Sequence, residues 1–332
     1  SLSGTLKIQW KRFISWSLFS LCVAGVVIAS IHAVLNYTFK DVYQSKALIA
    51  DRQLLFPGVQ EIVLKESASN PDPIQSGETR IDRIRRRGTI RLGFDAKRLP
   101  FSYFNDRGQL VGLDIDMAHR LALDLGVDIE FVPFTPQTLV TQLNQDHFDL
   151  AMSGLEGTIE RATAFPVADS YMDVTLALVL PDFRKVDFLE FDKLRHSADL
   201  KIAVVANSFY DEKAHEFFPN ASFVSINSEE DFFEGNASHA DLLVTSAETG
   251  AAWTLLYPKF SVINPFKKNI RVPMYYLGAH DIEFEEFMEV WLELKKKEGV
   301  FDTLYKYWIL GETINPAPPR WSIIRNVLHW VD

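Results

Sequence analysis

Hydrophobic positions change their spacing several times along the chain, and each change predicts an element. Residues 13–39 carry no Asp, Glu, Lys or Arg: FISWSLFSLCVAGVVIASIHAVLNYTF. About 20 apolar residues are enough to span a bilayer core, so this run predicts one N-terminal transmembrane helix. Trp10 and Trp16 stand near one end and Tyr37 and Tyr43 near the other, as interfacial aromatics do. The run is too long for a signal-peptide core, and no clear small-x-small cleavage site follows it. The competing readings are a buried helix and an uncleaved signal sequence. Residues 1–12, with Lys7, Lys11 and Arg12, predict a basic cytoplasmic flank that leaves the rest of the chain on the other side. Residues 40–56 continue as a juxtamembrane helix stopped at Pro57-Gly58, and the polar residues 59–79 read as a linker or loose collar. The cluster Arg80, Arg83, Arg85, Arg86 and Arg87 reads as a solvated helix face, or as a contact with lipid headgroups if it faces the membrane.

From Gly88 the pattern alternates between strand and helix. Strands are predicted at 89–94, 102–104, 110–113, 128–133, 148–153, 174–180, 201–205, 222–226, 241–245 and 274–277. Helices are predicted at 114–125, 138–144, from 160, 211–217, 229–234, 248–256, 283–299 and 301–308. Such alternation implies largely parallel sheets. Two successive sets, with a return to the first, imply two lobes and two crossings. Pro316-Ala-Pro-Pro319 ends the domain. The apolar tail 321–331 fits either a membrane surface, a partner or its own lobe.

Composition narrows the function classes. The 332 residues are 47% hydrophobic and 23% charged, as expected for a globular chain of about two units. A net charge of −10 argues against nucleic acid as a partner. The single cysteine, Cys22, rules out an intramolecular disulfide and a cysteine-only zinc site. A first residue other than Met fits a piece of a longer membrane protein, such as a fused transporter.

The most informative stretch runs from Asp149 to Arg161: DLAMSGLEGTIER. A buried strand, small residues and an arginine near a helix start make a site for a carboxylate or phosphate. The plainer reading is an ordinary strand–turn–helix with a surface arginine. Enzyme constellations are missing from the sequence: no HExxH, no GxSxG elbow and no P-loop. Asp114 and Asp116 read as caps of the following helix rather than as an acid–base pair. No catalytic group, metal or cofactor is expected.

Several pieces resemble, in order and spacing, the extracellular solute-binding proteins of family 3, the polar amino-acid binders. They are Ile90–Asp95 (IRLGFD), Leu99–Tyr103 (LPFSY), Gly108–Asp116 (GQLVGLDID), Phe148–Gly154 (FDLAMSG), Thr158–Arg161 (TIER), and Glu298-Gly-Val with Tyr307-Trp308. The resemblance implies an α/β, two-lobed type II periplasmic binding fold with two hinge strands, closing on a ligand between the lobes. It places lobe 1 at 88–180, with 276–312 returning to it, and lobe 2 at 181–275. The hinges fall near 178–182 and 275–279, and 313–332 forms a C-terminal tail. It makes Arg161 the ligand-carboxylate residue and puts Asp95, Phe101, Ser153, Gly154 and Ser208 around the ligand. Three positions depart from the family pattern. Arg98 stands for a stacking aromatic, Glu156 for a hydroxyl, and Ser246 for the acid that holds the ligand ammonium, with Glu248 two residues on. Glu156 then either replaces that acid or is a helix N-terminal acid. A ligand without an amine would instead sit between Arg98 and Arg161. The expected ligand is an amino acid, acidic or polar, or a small dicarboxylate.

The resulting expectation is a membrane-tethered, extracytoplasmic binding domain at the cell inner membrane, facing the periplasm. It would serve a transporter subunit or fused transporter domain, with the lipid bilayer as a further partner. The alternatives are a sensory input domain, for which residues 1–12 are too short to supply an output, and a degenerate domain that binds no small molecule.

Overall fold

The computed structural model describes residues 49–312, apart from 166–168, 189–190, 192–194 and 238, together with residues 16, 20, 21, 23, 25–28 and 30. The chain divides into two compact units, residues 1–47 and 48–332. In the first unit the described residues are helical and exposed. The flank 1–12 and most of the expected span 13–39 lie outside the described residues. Among those described, no helix is long and apolar enough to cross a membrane. The expected tail 313–332 also lies outside them.

The second unit is built on a ten-stranded sheet. Its first part takes β1 (Glu61–Val63), β2 (Thr89–Phe94), β6 (Asp128–Pro133) and β7 (Leu150–Glu156) as parallel neighbours in the order β1-β6-β2-β7. A separate three-stranded sheet holds β3 (Lys97–Arg98), β4 (Ser102–Phe104) and β5 (Leu110–Val111). All seven residues of β7 are buried, as in a strand covered on both faces. Helices α1 (Arg80–Arg87), α2 (Leu113–Leu125), α3 (Leu139–Asn144) and α4 (Ile159–Ala164) belong to this lobe.

Strand β8 (Met172–Pro181) carries the chain across. The second lobe adds β9 (Lys201–Val205), α5 (Phe209–Phe217), β10 (Ser222–Ile226), α6 (Glu229–Phe233), β11 (Leu242–Ser246), α7 (Ala247–Leu256) and β12 (Phe260–Ile263). Strand β13 (Arg271–Gly278) returns and pairs antiparallel with β7, and α8 (Ile282–Lys297) and α9 (Val300–Leu304) follow. The ladder shows where the lobes meet. Met172–Thr175 of β8 pairs with β13, whereas Leu176–Pro181 pairs with β11 and β12. The partner change therefore falls between Thr175 and Leu176, a few residues before the stretch 178–182.

Three expectations are corrected. The helix 40–56 does not reach 56: its described part ends at Ala50, and Asp116 accepts hydrogen bonds from Leu55 N at 2.8 Å and Phe56 N at 2.8 Å. The stretch 59–79 is not a loose collar, because β1 extends the sheet edge and Arg91 Nη2 donates to Ala68 O at 2.7 Å. The arginine cluster is not simply a solvated or lipid-facing surface. Arg80 and Arg83 are buried, Arg83 Nη2 and Arg87 Nη2 each lie 2.6 Å from Asp149, and Arg86 pairs with Asp72 and Glu78. Five positive charges close in sequence look like surface, but Asp149 and Asp146, about sixty residues on, pull this helix face inward.

Candidate ligand-binding cleft

The cleft centre is assembled from the ends of β2, β3 and β7 on one side and from α5 and α6 on the other. Residues become available there because parallel strands end together and release their last side chains into the crevice. Asp95 follows β2 and is 9% exposed. Its Oδ1 accepts from Lys97 N at 3.1 Å, and burial pushes its carboxyl upward against the pull of Arg98. Ser153 on β7 is fully buried. Its hydroxyl accepts from Asp95 N at 2.8 Å and shares a hydrogen bond with Ser102 Oγ, so it locks the β2 end to β7.

Gly154 has φ +59°, and a Cβ there would fall 2.5 Å from Phe101 Cδ2. Only glycine suits both demands. Phe101 is thus a packing wedge, 2% exposed, against the bend of β7. The bend turns Gly154 N toward Asp114 Oδ2 at 2.5 Å and Gly154 O toward Arg98 Nη2 at 2.8 Å.

Glu156, at the end of β7, is the centre of the charge pattern. Its Oε1 accepts a hydrogen bond from Arg98 Nη2, and its Oε2 lies 3.3 Å from Arg161 Nη1. Arg161 Nη1 also donates to Glu156 O at 2.8 Å. Burial pushes the Glu156 carboxyl up, but Arg98 and then Arg161 overcome this and hold it below the ordinary range. Glu156 does not cap the following helix; Thr158 does, accepting from Arg161 N at 3.1 Å. Arg98 and Arg161 are therefore brought together through one carboxylate of the chain itself.

Ser208 and Ser246 begin α5 and α7. Ser208 Oγ donates to Val205 O at 2.7 Å and accepts from Asp211 N at 3.2 Å, while Ser246 Oγ accepts from Thr249 N at 3.0 Å. Ser208 lines the cleft; Ser246 lies deeper, hydrogen-bonded to the buried hydroxyl of Tyr210. Glu248 is turned to the hinge, where its Oε2 accepts from Thr175 N at 2.9 Å.

Two contributors were not among the expected ligand-site residues, and one of them, Asp114, read as a helix cap. Glu229, the first residue of α6, is 2% exposed with Oε1 3.7 Å from Arg98 Nη1. Burial pushes its carboxyl up, opposed by Arg98. The run Glu229-Glu230-Asp231 reads as ordinary first-turn acids, and nothing in it distinguishes Glu229. Asp114 is the other. It does not cap α2 but accepts from Tyr276 OH at 3.0 Å, Tyr171 OH at 3.1 Å and Gly154 N. Asp116 likewise holds Trp308 Nε1 at 2.7 Å besides the backbone of 55–56.

The open space follows this arrangement. Between Asp95, Arg98, Glu156, Arg161 and Ser208 there is a cavity of only about 10 Å³, roughly the size that admits one water. Beyond Arg161 a cleft of about 580 Å³ opens, lined by Thr158, Asp169, Phe209, Lys213 and Tyr275. That is within the range of small-molecule sites. Among the described residues no group of three or more His, Cys, Asp or Glu could hold a metal ion.

Comparison with known proteins places the chain in a family. The model for bacterial extracellular solute-binding proteins, family 3, matches residues 90–311. Cyclohexadienyl dehydratase of Pseudomonas aeruginosa is 26% identical over 243 residues, covering 71% of this chain and 88% of the relative. A probable amino-acid ABC transporter periplasmic-binding protein of Sinorhizobium fredii is 22% identical over 258 residues, covering 74% and 85%. Among solved structures, an ancestral amino acid-binding protein described as a precursor of cyclohexadienyl dehydratase superposes with TM-score 0.63 at 32% identity, covering 69% of this chain and 99% of that one. A mutant of the arginine-binding protein of T. maritima gives TM-score 0.60 at 26% identity, covering 69% and 98%. The two-lobed α/β fold and the matched span agree, and the chain belongs to the bacterial extracellular solute-binding proteins, family 3.

Proposed function

We propose that this chain captures a small amino acid between its lobes and presents the closed form to a membrane transporter on the extracytoplasmic side. The observation that carries the reading is the position of Arg161. Its guanidinium stands at the junction of the narrow centre and the 580 Å³ cleft, with α5 of the other lobe opposite. A guanidinium there suits the planar carboxylate of an amino acid. Removing water on closure strengthens that contact. A dicarboxylate held by Arg98 and Arg161 together is the weaker choice, because Glu156 already bridges the two. A tether to the membrane would raise the local concentration at the transporter. Titration calorimetry of the full chain against a panel of amino acids and dicarboxylates tests the reading. Binding of an amino acid that Arg161→Ala abolishes is the expected result; unchanged affinity in that variant would remove Arg161 from the site. Because one relative is a dehydratase, the ligand should also be recovered and compared with the input: unchanged ligand supports capture, and loss of water supports catalysis.

A second reading is an interaction domain that binds no small molecule. The observation in its favour is the 10 Å³ centre, where Glu156 stands between the arginines. Absence of binding across the whole panel would select it.

A further inference from the structure

The family match begins at residue 90, yet residues 49–56, well upstream of it, are strapped across the first lobe. Tyr103 OH donates to Ile49 O at 2.9 Å, Asn105 Nδ2 to Arg52 O at 2.8 Å, Asp106 N to Ala50 O at 2.8 Å and Tyr307 OH to Gln53 O at 2.9 Å. The Arg52 guanidinium lies 4.1 Å over the ring of Tyr307, and its Nη1 donates to Glu312 O at 3.2 Å. The strap ends on Asp116, which accepts from Leu55 N and Phe56 N.

Asp114 and Asp116 share the first turn of α2, and both are fully buried. Two positions along a helix turn a side chain by about 200°, so the two carboxylates face opposite sides. Each is held by three neutral donors. Those of Asp116 are the two strap amides and Trp308 Nε1. Those of Asp114 are Gly154 N on the bend of β7, Tyr171 OH and Tyr276 OH. A buried carboxylate that loses its donors is costly. If the strap lifts, Asp116 loses two of its three, and the turn must shift to recover them from water. It cannot shift alone. Asp114 N donates to Phe101 O at 3.0 Å, and a Cβ on Gly112 would fall 2.1 Å from that same oxygen, so the turn is pressed onto Phe101. The Phe101 ring packs in turn on Gly154, whose carbonyl holds Arg98.

We propose that residues 49–56 are a control strap, and that the first turn of α2 is the joint tying its docking to the cleft wall at 154–156. Displacing the chain ahead of residue 49 then loosens that wall, and a change at the wall is felt by the strap, as coupling must be reciprocal. This goes beyond ligand capture, because it gives the cleft a second input on a remote side of the lobe.

Hydrogen exchange on the full chain, without ligand, tests this in the double variant Tyr103→Phe, Tyr307→Phe. Both rings stay, and only two hydroxyls that hold the strap are removed. Exchange over 49–56 is expected to speed up at least about tenfold. Exchange over 154–156 is expected to speed up at least about threefold, with β2 of the same lobe and β9 of the other unchanged. A loosened strap with unchanged exchange at 154–156 overturns the joint. Equal acceleration in β2 overturns it too, because the lobe is then merely less stable. An unchanged strap shows that these hydroxyls do not hold it; Trp308→Phe, which removes the third donor of Asp116, must then accelerate 55–56 and 154–156 together, or the proposal falls. No ligand enters the measurement, so its failure is separate from failure of the amino-acid-binding reading.

Discussion

Lys97 Nζ lies 2.9 Å from Glu230 Oε2, so a lysine of β3 and a glutamate of α6 meet across the cleft between the lobes. The adjacent pair, Arg98 and Glu229, repeats the same polarity 3.7 Å apart but in a buried setting. Two consecutive cations on one lobe thus face two consecutive acids on the other. The outer pair is half-exposed, at 55% and 33% for the two side chains, which limits its worth to at most about 1 kcal/mol and makes it sensitive to salt. Lys97→Ala is expected to lower the ratio of closed to open molecules without ligand by no more than about fivefold, and high salt should reproduce the effect in the wild type. Small-angle scattering of both proteins at low and high salt measures this. Identical profiles under all conditions would show that the pair does not help to hold the lobes together.

Glu156→Gln removes the carboxylate between two buried guanidiniums while keeping its shape. Each arginine then retains one backbone acceptor, Gly154 O for Arg98 and the carbonyl of residue 156 for Arg161, but no charged partner at its strongest contact. Breaking a buried pair from one side costs about 3–5 kcal/mol, so the ligand-free variant is expected to unfold at clearly lower denaturant. The same change frees both guanidiniums for an external anion, and affinity for succinate or glutamate is expected to rise. A stable variant with no gain for anions would mean that Glu156 does not hold the arginines in solution.

Much of this site was legible in local patterns. Buried strands and amphipathic helices repeat at fixed periods, and the Asp149–Arg161 stretch carries both its strand and its arginine within thirteen residues, so sequence places Arg161 and Glu156 on one wall. What local spacing cannot express is which distant charge satisfies which. Asp149 and Asp146 turn an arginine-rich helix inward from more than sixty positions away, and Glu229 meets Arg98 across 131 positions (229 minus 98). Glu156 could be read as a ligand clamp or a helix acid, but not as the bridge between two arginines, because that role depends on Arg98 arriving from another strand. The three-residue strand β1 is too short for any periodicity to register.

Ser208 and Ser246 separate folding from recognition. Both hydroxyls accept from the backbone of the helix they begin, and Ser208 also donates to Val205 O. Replacing such a cap with alanine costs typically about 1 kcal/mol. Ser246→Ala is expected to lose about that much in chemical denaturation with less than about twofold change in ligand affinity, because the hydroxyl holds Thr249 N rather than facing the cleft. Ser208→Ala, at the cleft wall, is expected to cost similar stability. A large affinity loss in Ser246→Ala alone would show that its hydroxyl reaches the ligand.

Asp114 ties pH to the hinge. Its carboxylate accepts from Gly154 N on the bend of β7, from Tyr171 just before β8 and from Tyr276 on β13, and the two tyrosine rings stack 4.3 Å apart. Burial raises its pKa from the ordinary 3.8 to about 7, against the three donors. The folded protein thus holds this proton more tightly than the unfolded chain. Between about pH 4 and pH 7 the native state binds more protons, so stability falls as pH rises through that window and levels off above it. Asp116, raised to about 6 by burial, adds a contribution of the same sign over a narrower window. Asn in place of Asp114 keeps the shape, offers its carbonyl to Gly154 N, and removes the titrating proton. Urea unfolding across this range is therefore expected to show a flatter pH profile for Asp114→Asn, with the gap closing in favour of the variant as pH rises. Parallel profiles for variant and wild type would assign the pH dependence to other groups and leave Asp114 a purely geometric joint.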